Sequence, residues 1–334
     1  MIPLREVCIL KNYPVPDLLR QTPGHRGIWG DIQFSVDRCK SGDYVVVLNN
    51  PPEDLEVSCP PQHIWAIIQE PPDEHSGPIH RGDLGFARVY TTDPTLSGKR
   101  YHHSQPALPW FIDRDYDYLK RCAAPQKTRS LSWVTSSKTV FRGHRLRMRF
   151  LKKIQAGLDF DLFGIGFQPL KDKWDGLASY RYSLAVENFS NPLYWSEKLS
   201  DCFLAWTMPI YYGCSRITDF FPADSLIQID IESPTCVDQV REAVSSAAWE
   251  RSLDAIATAR ELVLDRYQLF PFLAQEINTH EFKHPWEPHG PEKIMLPKEP
   301  RPPMKLRDRM RQFWRRNTSV AVRRSLAKIR QLFE

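Results

Sequence analysis

Two short segments in the middle of the chain combine residue types that could bind a phosphate group. Glu187 and Asn188 end an apolar run, and Ser196, Glu197 and Lys198 begin a helical pattern after a loop. Ligands of open α/β sheets lie beyond the carboxyl ends of strands, and a helix N-terminus offers free N–H groups and partial positive charge. The spacing therefore indicates a phosphate-binding corner to which Lys198 adds a cation. An ordinary capped helix is the alternative interpretation of Ser196–Lys198 taken alone.

The elements that would position these residues follow a repeating pattern. Short β-rich runs alternate with helical periodicity, which is typical of parallel α/β units. We predict helices over 144–156, 195–206 and 235–266. An interruption at 121–129 divides the elements into two sets, which predicts two Rossmann-like halves. The predicted strands are Val7–Leu10, Tyr44–Leu48, Ile64–Ile68, Ala87–Tyr90, Leu131–Thr135, Leu158–Phe163, Ser183–Val186, Pro209–Tyr212 and Leu226–Ile229.

Length and composition indicate a folded protein with about two domains, because the chain has 334 residues, 12% aromatic residues and a mean hydropathy of -0.45. The predicted divisions are Rossmann-like domains over 1–125 and 126–280, a Pro-rich linker over 281–304 and a basic amphipathic tail over 305–334.

The chain shows no pattern of a membrane span or a secretion signal. No run approaches the ~18–20 apolar residues of a membrane span, and the first residues lack a signal-peptide pattern. We therefore expect neither insertion into a membrane nor secretion.

The cysteines and the acidic motifs give little sign of a metal site. The seven cysteines contain no C-x-x-C pair, so we expect neither a zinc site nor a disulfide framework, and a reducing cytoplasm fits best. Two D-x-D motifs occur, at Asp115–Asp117 and Asp159–Asp161, but the first falls in an acidic-aromatic loop and the second in a predicted strand. We predict that no metal is bound.

The end of the chain carries an uneven charge. Residues 301–334 contain eleven Lys and Arg against two acids, whereas residues 1–300 have a net charge of -4. Apolar residues recur there at spacings of three and four among the arginines, as in an amphipathic helix. We expect this tail to bind an anionic membrane surface. The alternative is a helix packed against the body with a solvated basic face, and we expect no binding to nucleic acid.

A series of motifs around Glu187 resembles a known family. The motifs are Y-R-Y-x-L-x-x-E-N from Tyr180, S-E-K from Ser196, P-I-Y-Y-G from Pro209 and F-P-x-x-S-L-I from Phe221. In this order and spacing they resemble the C-terminal domain of the α1,3/4-fucosyltransferases of glycosyltransferase family ten, of the bacterial type. Upstream, W-V-x-S from Trp133 and R-x-R-aromatic from Arg147 are similar to the family's strand and phosphate-binding helix, and Trp65–Pro72 is similar to the strand that ends in its catalytic glutamate.

The resemblance implies a GT-B architecture, in which two Rossmann-like domains face a cleft, and inverting transfer of fucose from GDP-fucose to a hydroxyl of a glycan. It implies Glu70 as the general base, and Arg147 and Lys198 as the cations that bind the diphosphate. Glu197 would bind ribose hydroxyls from the same turn as Ser196, while Glu187 and Asn188 would contact the donor sugar or phosphates. No prosthetic group and no metal requirement are implied.

The sequence also departs from the family pattern, with Val186 where an aromatic residue is common and Trp206 where Gly or His is common. One alternative is therefore the same scaffold with a different nucleotide sugar, and another is a non-catalytic glycan- or membrane-binding protein. Our leading expectation is a cytoplasmic fucosyltransferase, peripheral on the inner face of the membrane, whose acceptor is a glycan or a lipid-linked oligosaccharide.

Overall fold

The computed structural model describes residues 4–298 except 14–16, 38, 52, 74–75, 77–78, 80–84, 284–290 and 297. The chain divides into two compact units at 299/300, and every described residue belongs to the first unit. The predicted tail at 305–334 lies outside the described residues. Among the described residues, no helix is long and apolar enough to cross a membrane.

The first sheet has seven strands in the order β2-β3-β1-β4-β6-β7-β8, and its neighbours pair in parallel except for β2 with β3. Its centre is fully buried because β4 and β6 consist of apolar residues that contact the core on both faces. The strands of this part of the chain are β1 (Arg5–Lys11), β2 (Ile28–Trp29), β3 (Ile32–Val36), β4 (Tyr44–Leu48), β5 (Leu55–Cys59), β6 (Ile64–Ile67), β7 (Arg88–Thr91) and β8 (Tyr101–His103).

The second sheet has five parallel strands in the order β10-β9-β11-β12-β13. These strands are β9 (Arg129–Val134), β10 (Asp161–Phe163), β11 (Tyr180–Val186), β12 (Met208–Tyr212) and β13 (Ile227–Gln228), and a final strand β14 (Glu292–Leu296) pairs antiparallel with β5. With β2, β8 and the β5–β14 ribbon set aside, both sheets have the same order, in which the first strand lies between the second and the third. Each sheet therefore has one point where the direction of strand addition reverses.

Helices cover both sheets. The helices are α1 (Tyr116–Arg121), α2 (Arg142–Gln155), α3 (Glu197–Leu204), α4 (Cys236–Ser245), α5 (Ala248–Arg251), α6 (Leu253–Leu262) and α7 (Leu269–Lys283). Phe150 and Ile154 of α2 pack with Trp133 of β9 in the core of the second sheet. By contrast, α7 follows the second sheet in sequence but contributes Phe270 and Leu273 to the core of the first. The helix α7 thus connects the second half of the chain to the first sheet.

The predicted α/β class and the nine predicted strands agree with the structure to within a few residues at each end. The long helix predicted over 235–266 is wrong, because Ala247 adopts a left-handed backbone with φ 46° and Val263–Tyr267 forms a π-helical turn, so that three helices replace one. The boundaries of the predicted domains stay a prediction. Within the segment predicted as a linker, residues 292–296 form the strand β14.

Cys8 in β1 forms a disulfide with Cys39, and their Cα atoms lie 5.7 Å apart. The expectation of no disulfide is therefore wrong for this pair. The two cysteines are 31 residues apart in sequence, and they meet because β1 pairs with β3, which ends at Val36. The spacing of the cysteines along the chain does not predict that these two form a disulfide. The described residues contain no group of three or more His, Cys, Asp and Glu arranged to hold a metal ion.

The first turn of α2 lies directly against the chain that leaves β11. A Cβ atom placed on Gly143 would lie 1.5 Å from the carbonyl oxygen of Asn188, closer than any real contact. Only glycine therefore allows this approach, and the approach brings the side chains of α2 to the carboxyl end of β11.

We predict that Gly143→Ala destabilises the protein by about 1–3 kcal/mol, since the clash forces the backbones apart. In a helix position without close neighbours, Gly→Ala would instead stabilise the protein by ~1 kcal/mol. The sign of the change in unfolding free energy therefore shows whether the close approach of the two backbones matters. Urea unfolding measures the effect, with Lys152→Ala on the exposed side of α2 as the control, expected to stay within about 0.5 kcal/mol of the wild type. A Gly143→Ala protein as stable as the wild type would show that the approach is not required.

Candidate functional site

The side chain of Arg147 spans the point where the second sheet reverses direction, between β9 and β11. Its Nη1 donates a hydrogen bond of 2.5 Å to Oδ1 of Asn188, which follows β11. Its Nη2 donates bonds of 3.1 Å to the carbonyl oxygen and to the hydroxyl of Ser136, which follows β9. Only 2% of Arg147 is exposed, and among the described residues its Nε atom has no hydrogen-bond partner. This guanidinium is therefore held at the position where open α/β sheets bind ligands.

The carboxylate of Glu187 organises the start of α3. It accepts a hydrogen bond of 2.7 Å from the backbone N–H of Ser196 and bonds of 2.7 and 2.8 Å from the Ser196 hydroxyl. It also accepts a bond of 3.1 Å from Nζ of Lys198. The side chain of Glu187 is fully buried, whereas one fifth of the Lys198 side chain is exposed. Glu187 thus fixes the position of the ammonium group, and part of the Lys198 side chain remains exposed.

Five charged groups of alternating sign extend from this point into the protein. Lys198 lies 3.1 Å from Glu187 and 3.5 Å from Glu197, and Lys173 lies 3.5 Å from Glu197 and 3.0 Å from Asp201. Burial acts to raise the pKa of Glu197, but Lys198 and Lys173 outweigh it and hold that pKa at about 2. Burial likewise opposes the charged form of Lys198, yet Glu187 and Glu197 raise its pKa above the ordinary value. The pKa shifts of Glu197, Lys198 and Lys173 therefore favour their charged forms, whereas burial raises the pKa of Asp201.

The predicted base, Glu70, lies at the carboxyl end of β6 in the first sheet, and its side chain is exposed. The backbone N–H groups of Gln69 and Glu70 both donate to Oδ1 of Asn49, at 2.8 and 3.3 Å. Pro71 and Pro72 follow Glu70, so the turn is rigid on that side as well. The carboxylate is thus presented on a fixed backbone at the edge where the parallel strands of this sheet end.

The Glu70 turn lies close enough to the loop after β11 and to the helix α2 for its carboxylates to influence residues there. The pKa of Tyr194 is well above its usual range because of burial and of neighbouring carboxylates on both sides, among them Glu70 and Asp73. The pKa of His144, one turn before Arg147 on α2, is lowered to about 4 by burial and by Arg147, and Asp73 partly offsets this shift. A direct bond of 2.8 Å from Nδ2 of Asn191 to the carbonyl oxygen of Thr92 also joins the loops of the two sheets.

The structure thus brings together the residues that the sequence singled out. Glu187, Ser196, Glu197 and Lys198 form one cluster, Arg147 and Asn188 form a bonded pair beside it, and Glu70 lies on the opposite side. Their chemical roles stay predictions. The geometry adds that Ser196 and Lys198 already donate hydrogen bonds to the carboxylate of Glu187.

Three participants were missed in the sequence, namely Asn49, Ser136 and Lys173. Ser136 was part of a matched strand motif, so the signal was present without a role attached to it. Lys173 precedes Glu197 by 24 residues, and Asn49 precedes Glu70 by 21. Nothing in those spacings indicates contact, because Asn49 and Glu70 follow the paired strands β4 and β6, and Lys173 and Glu197 lie before and after β11.

The architecture is of the GT-B type. The chain superposes on an alpha-glucosyltransferase in complex with UDP and a 13-mer DNA, with a TM-score of 0.53, 9% identity and coverage of 83% of this chain and 99% of that chain. It also superposes on Anabaena Alr3699/HepE in complex with UDP-glucose, with a TM-score of 0.50, 7% identity and coverage of 84% and 100%. At these identities the likeness concerns the fold, and the predicted GT-B fold is confirmed.

The family is indicated by sequence. Residues 124–240 match a family model described as Glycosyltransferase family 10 (fucosyltransferase) C-term. The 3-galactosyl-N-acetylglucosaminide 4-alpha-L-fucosyltransferase FUT3 of Homo sapiens is 28% identical over 221 residues, which cover 61% of this chain and 58% of the relative. The enzyme of the same name from Pan troglodytes is 32% identical over 198 residues, which cover 56% and 50%. The chain thus spans about half the length of these relatives, and its predicted resemblance to glycosyltransferase family ten is confirmed.

We predict a specific pH dependence from the low pKa of Glu197. A folded-state pKa of about 2, below the ordinary 4.5, stabilises the fold above about pH 4.5, and this stabilisation is lost as the pH falls towards 2. Between pH 5 and 3 the wild type should therefore lose about 2 kcal/mol more than Glu197→Gln in urea unfolding. The control is Glu242→Gln, which removes an exposed carboxylate of α4 and should leave the pH slope unchanged. Parallel curves for the wild type and Glu197→Gln would contradict the charged state assigned to Glu197.

Proposed function

We propose that this protein is an inverting fucosyltransferase that transfers fucose from GDP-fucose to a hydroxyl of a glycan acceptor. The observation that carries the proposal is the placement of Arg147 and Lys198 beside the first turn of α3, in the part of the chain that matches the fucosyltransferase C-terminal domain. A cation pair and a helix N-terminus together suit a diphosphate. The names of the relatives support fucose as the sugar.

In this proposal the second sheet binds the donor. Arg147 and Lys198 contact the diphosphate, and the N–H groups at the start of α3 contribute from the same side. Glu197 accepts hydrogen bonds from the ribose hydroxyls, and its low pKa keeps it an acceptor at neutral pH. Asn188, already bonded to Arg147, borders the sugar. The buried carboxylate of Glu187 orients Ser196 and Lys198, a function that its four contacts support.

The reaction itself takes place between the sheets. Glu70 removes the proton from the acceptor hydroxyl as the oxygen forms a bond to the anomeric carbon of fucose, and the bond from that carbon to the diphosphate oxygen breaks. In this arrangement the base lies across the donor sugar from the diphosphate. The acceptor oxygen then attacks the anomeric carbon from the side opposite to the leaving group, which inverts the configuration at that carbon. General-base catalysis contributes about 10²–10⁴-fold. The developing charge on GDP is neutralised by Arg147 and Lys198, and we propose that transfer requires neither a metal nor a prosthetic group.

The two departures that suggested a different nucleotide sugar both pack in the core of the second sheet. Trp206 precedes β12, at the end of the strand opposite to the site, and its ring packs with the guanidinium of Arg260 at 4.3 Å. Val186 is fully buried in the core of the second sheet. Val186 is the last residue of β11, directly before Glu187, so the alternative of a different sugar is decided by the nucleotide measurement below.

We predict that GDP and GDP-fucose raise the thermal midpoint, and that UDP, CMP and ADP with their sugar nucleotides do not. A ligand at ~100 times its Kd stabilises by ~2.7 kcal/mol, which shifts the midpoint by several degrees in a protein of this size.

Glu70→Gln should keep this thermal shift and lose about 10²–10⁴-fold in transfer rate, because it removes the base. The control is Glu53→Gln, which changes an exposed carboxylate of the same predicted domain and should retain the full transfer rate.

Each outcome of this experiment points to a different conclusion. A shift with another nucleotide would keep the scaffold and replace the sugar. A Glu70→Gln protein with full rate would remove the assignment of the base. No shift with any nucleotide, together with no transfer, would favour the non-catalytic glycan- or membrane-binding alternative.

We further propose that the protein works at the cytoplasmic face of a membrane, where the acceptor is a glycan or a lipid-linked oligosaccharide. The net charge of residues 301–334 supports this placement. Deletion of residues 305–334 should lower binding to vesicles that contain anionic lipid and leave the thermal shift with GDP unchanged. Vesicle sedimentation in low and high salt measures the first effect. Equal binding by the full and the shortened chain would assign the tail to packing.

A further inference from the structure

The first sheet has the same strand order as the second, so it too has a point of reversal, between β1 and β4. In the second sheet that position is spanned by Arg147. In the first it is occupied by amide side chains, since Asn12 follows β1 and Asn49 and Asn50 follow β4. Nδ2 of Asn12 donates a bond of 2.7 Å to Oδ1 of Asn50 across the reversal point. Asn49, the first residue after β4, is turned instead towards β6 and the Glu70 turn.

The conformation of Asn49 is unusual for a buried residue. Its φ is 66°, in the left-handed region that glycine adopts freely and that asparagine and aspartate tolerate better than other side chains. Only 4% of the residue is exposed. Its backbone N–H donates a bond of 2.8 Å to the carbonyl oxygen of Ile67, the last residue of β6. The backbone of Asn49 is therefore coupled to the end of the strand that leads to Glu70.

The side chain of Asn49 continues this coupling into the turn. A single atom, Oδ1, accepts the N–H groups of Gln69 and Glu70 at 2.8 and 3.3 Å. Pro71 and Pro72 have no N–H to donate, so these two bonds secure the backbone on the side of the turn that leads from β6. The side chain of Gln69 adds support, because it accepts a bond of 2.5 Å from the Tyr13 hydroxyl and donates one of 3.1 Å to the carbonyl oxygen of Ala107.

We propose that Asn49 is a positioning residue for the base, and that its left-handed backbone and its amide oxygen together set the direction in which the Glu70 carboxylate faces the donor. This inference rests on the proposed function, in which Glu70 takes the acceptor proton. Misplacement of a base by about 1 Å lowers rates by as much as 10²-fold, so two backbone bonds at the base itself have a large effect on catalysis.

Two substitutions separate the backbone of Asn49 from its acceptor atom. Asn49→Gly keeps the left-handed conformation and removes the acceptor, whereas Asn49→Asp keeps an acceptor oxygen and tolerates the same conformation. We expect Asn49→Gly to lower kcat at least tenfold with the Kd for GDP-fucose unchanged. We expect Asn49→Asp to restore most of kcat, with the acidic limb of the pH–rate profile moved to higher pH because the added negative charge raises the pKa of Glu70.

Asn50→Ala serves as the matched control, because it removes the adjacent buried amide and leaves both bonds to the Glu70 turn in place. Its kcat should stay within about threefold of the wild type, a change below 1 kcal/mol. Equal losses in Asn50→Ala and Asn49→Gly, an active Asn49→Gly, or no recovery in Asn49→Asp would each overturn the inference. Thermal midpoints of the three variants identify any loss that comes from unfolding.

A second readout keeps this test independent of the proposed function. Amide hydrogen exchange of a peptide that covers residues 66–70 should be faster in Asn49→Gly than in the wild type and Asn49→Asp. If the wild type transfers no sugar, the proposed function fails and this exchange result alone decides whether Asn49 holds the turn. If Glu70→Gln is inactive while Asn49→Gly has wild-type kcat, the proposed function stands and the inference fails.

Discussion

The buried carboxylate of Glu187 is the constraint around which the candidate site is arranged. A carboxylate taken out of water is strongly destabilising unless its oxygens are paired, and here Ser196 and Lys198 supply four contacts to them. Those contacts also determine where α3 begins and in which direction the Lys198 ammonium points. Gly213 allows the arrangement, since a Cβ there would lie 2.5 Å from Cγ of Glu187 and from the Tyr211 hydroxyl. Local stability and the orientation of Lys198 therefore depend on the same group.

The charged groups beyond Glu187 are paired in the same way. The groups from Glu187 to Asp201 alternate in sign, so each buried charge has an opposite neighbour within 3.5 Å. A donor diphosphate would meet Lys198 and Arg147 already oriented, with little side-chain entropy left to lose on binding. The first sheet has the same strand order but carries neutral amides at its reversal point. The cations suit the anion binding proposed for the second sheet, whereas base positioning in the first sheet is proposed for Asn49, which turns away from the reversal point towards the Glu70 turn.

Short-range patterns predicted much of the fold. Buried parallel strands such as Tyr44–Leu48 are continuous apolar runs, and the motif at Ser196–Lys198 is a helix start whose hydroxyl accepts from the N–H of Lys198. The hydrophobic periodicity gave wrong predictions where tertiary contacts determine the backbone conformation. The π-helical turn at Val263–Tyr267 and the left-handed Ala247 divide a continuous helical periodicity. The helix α7 escaped prediction because apolar residues lie around most of its circumference, where it packs under the first sheet.

The sequence by itself determined the α/β class, nine of the fourteen strands in the described residues and the motif that places Glu187, Ser196, Glu197 and Lys198 near one another, because all of these depend on residues close in the chain. Only the tertiary structure decided that Lys173 neutralises Glu197, that Asn49 holds the Glu70 turn and that Cys8 meets Cys39. Each of these contacts joins segments 20 to 31 residues apart that only the folded core brings together. The physical reason is that register and strand order in a parallel sheet follow from the packing of the whole core, which no local pattern encodes.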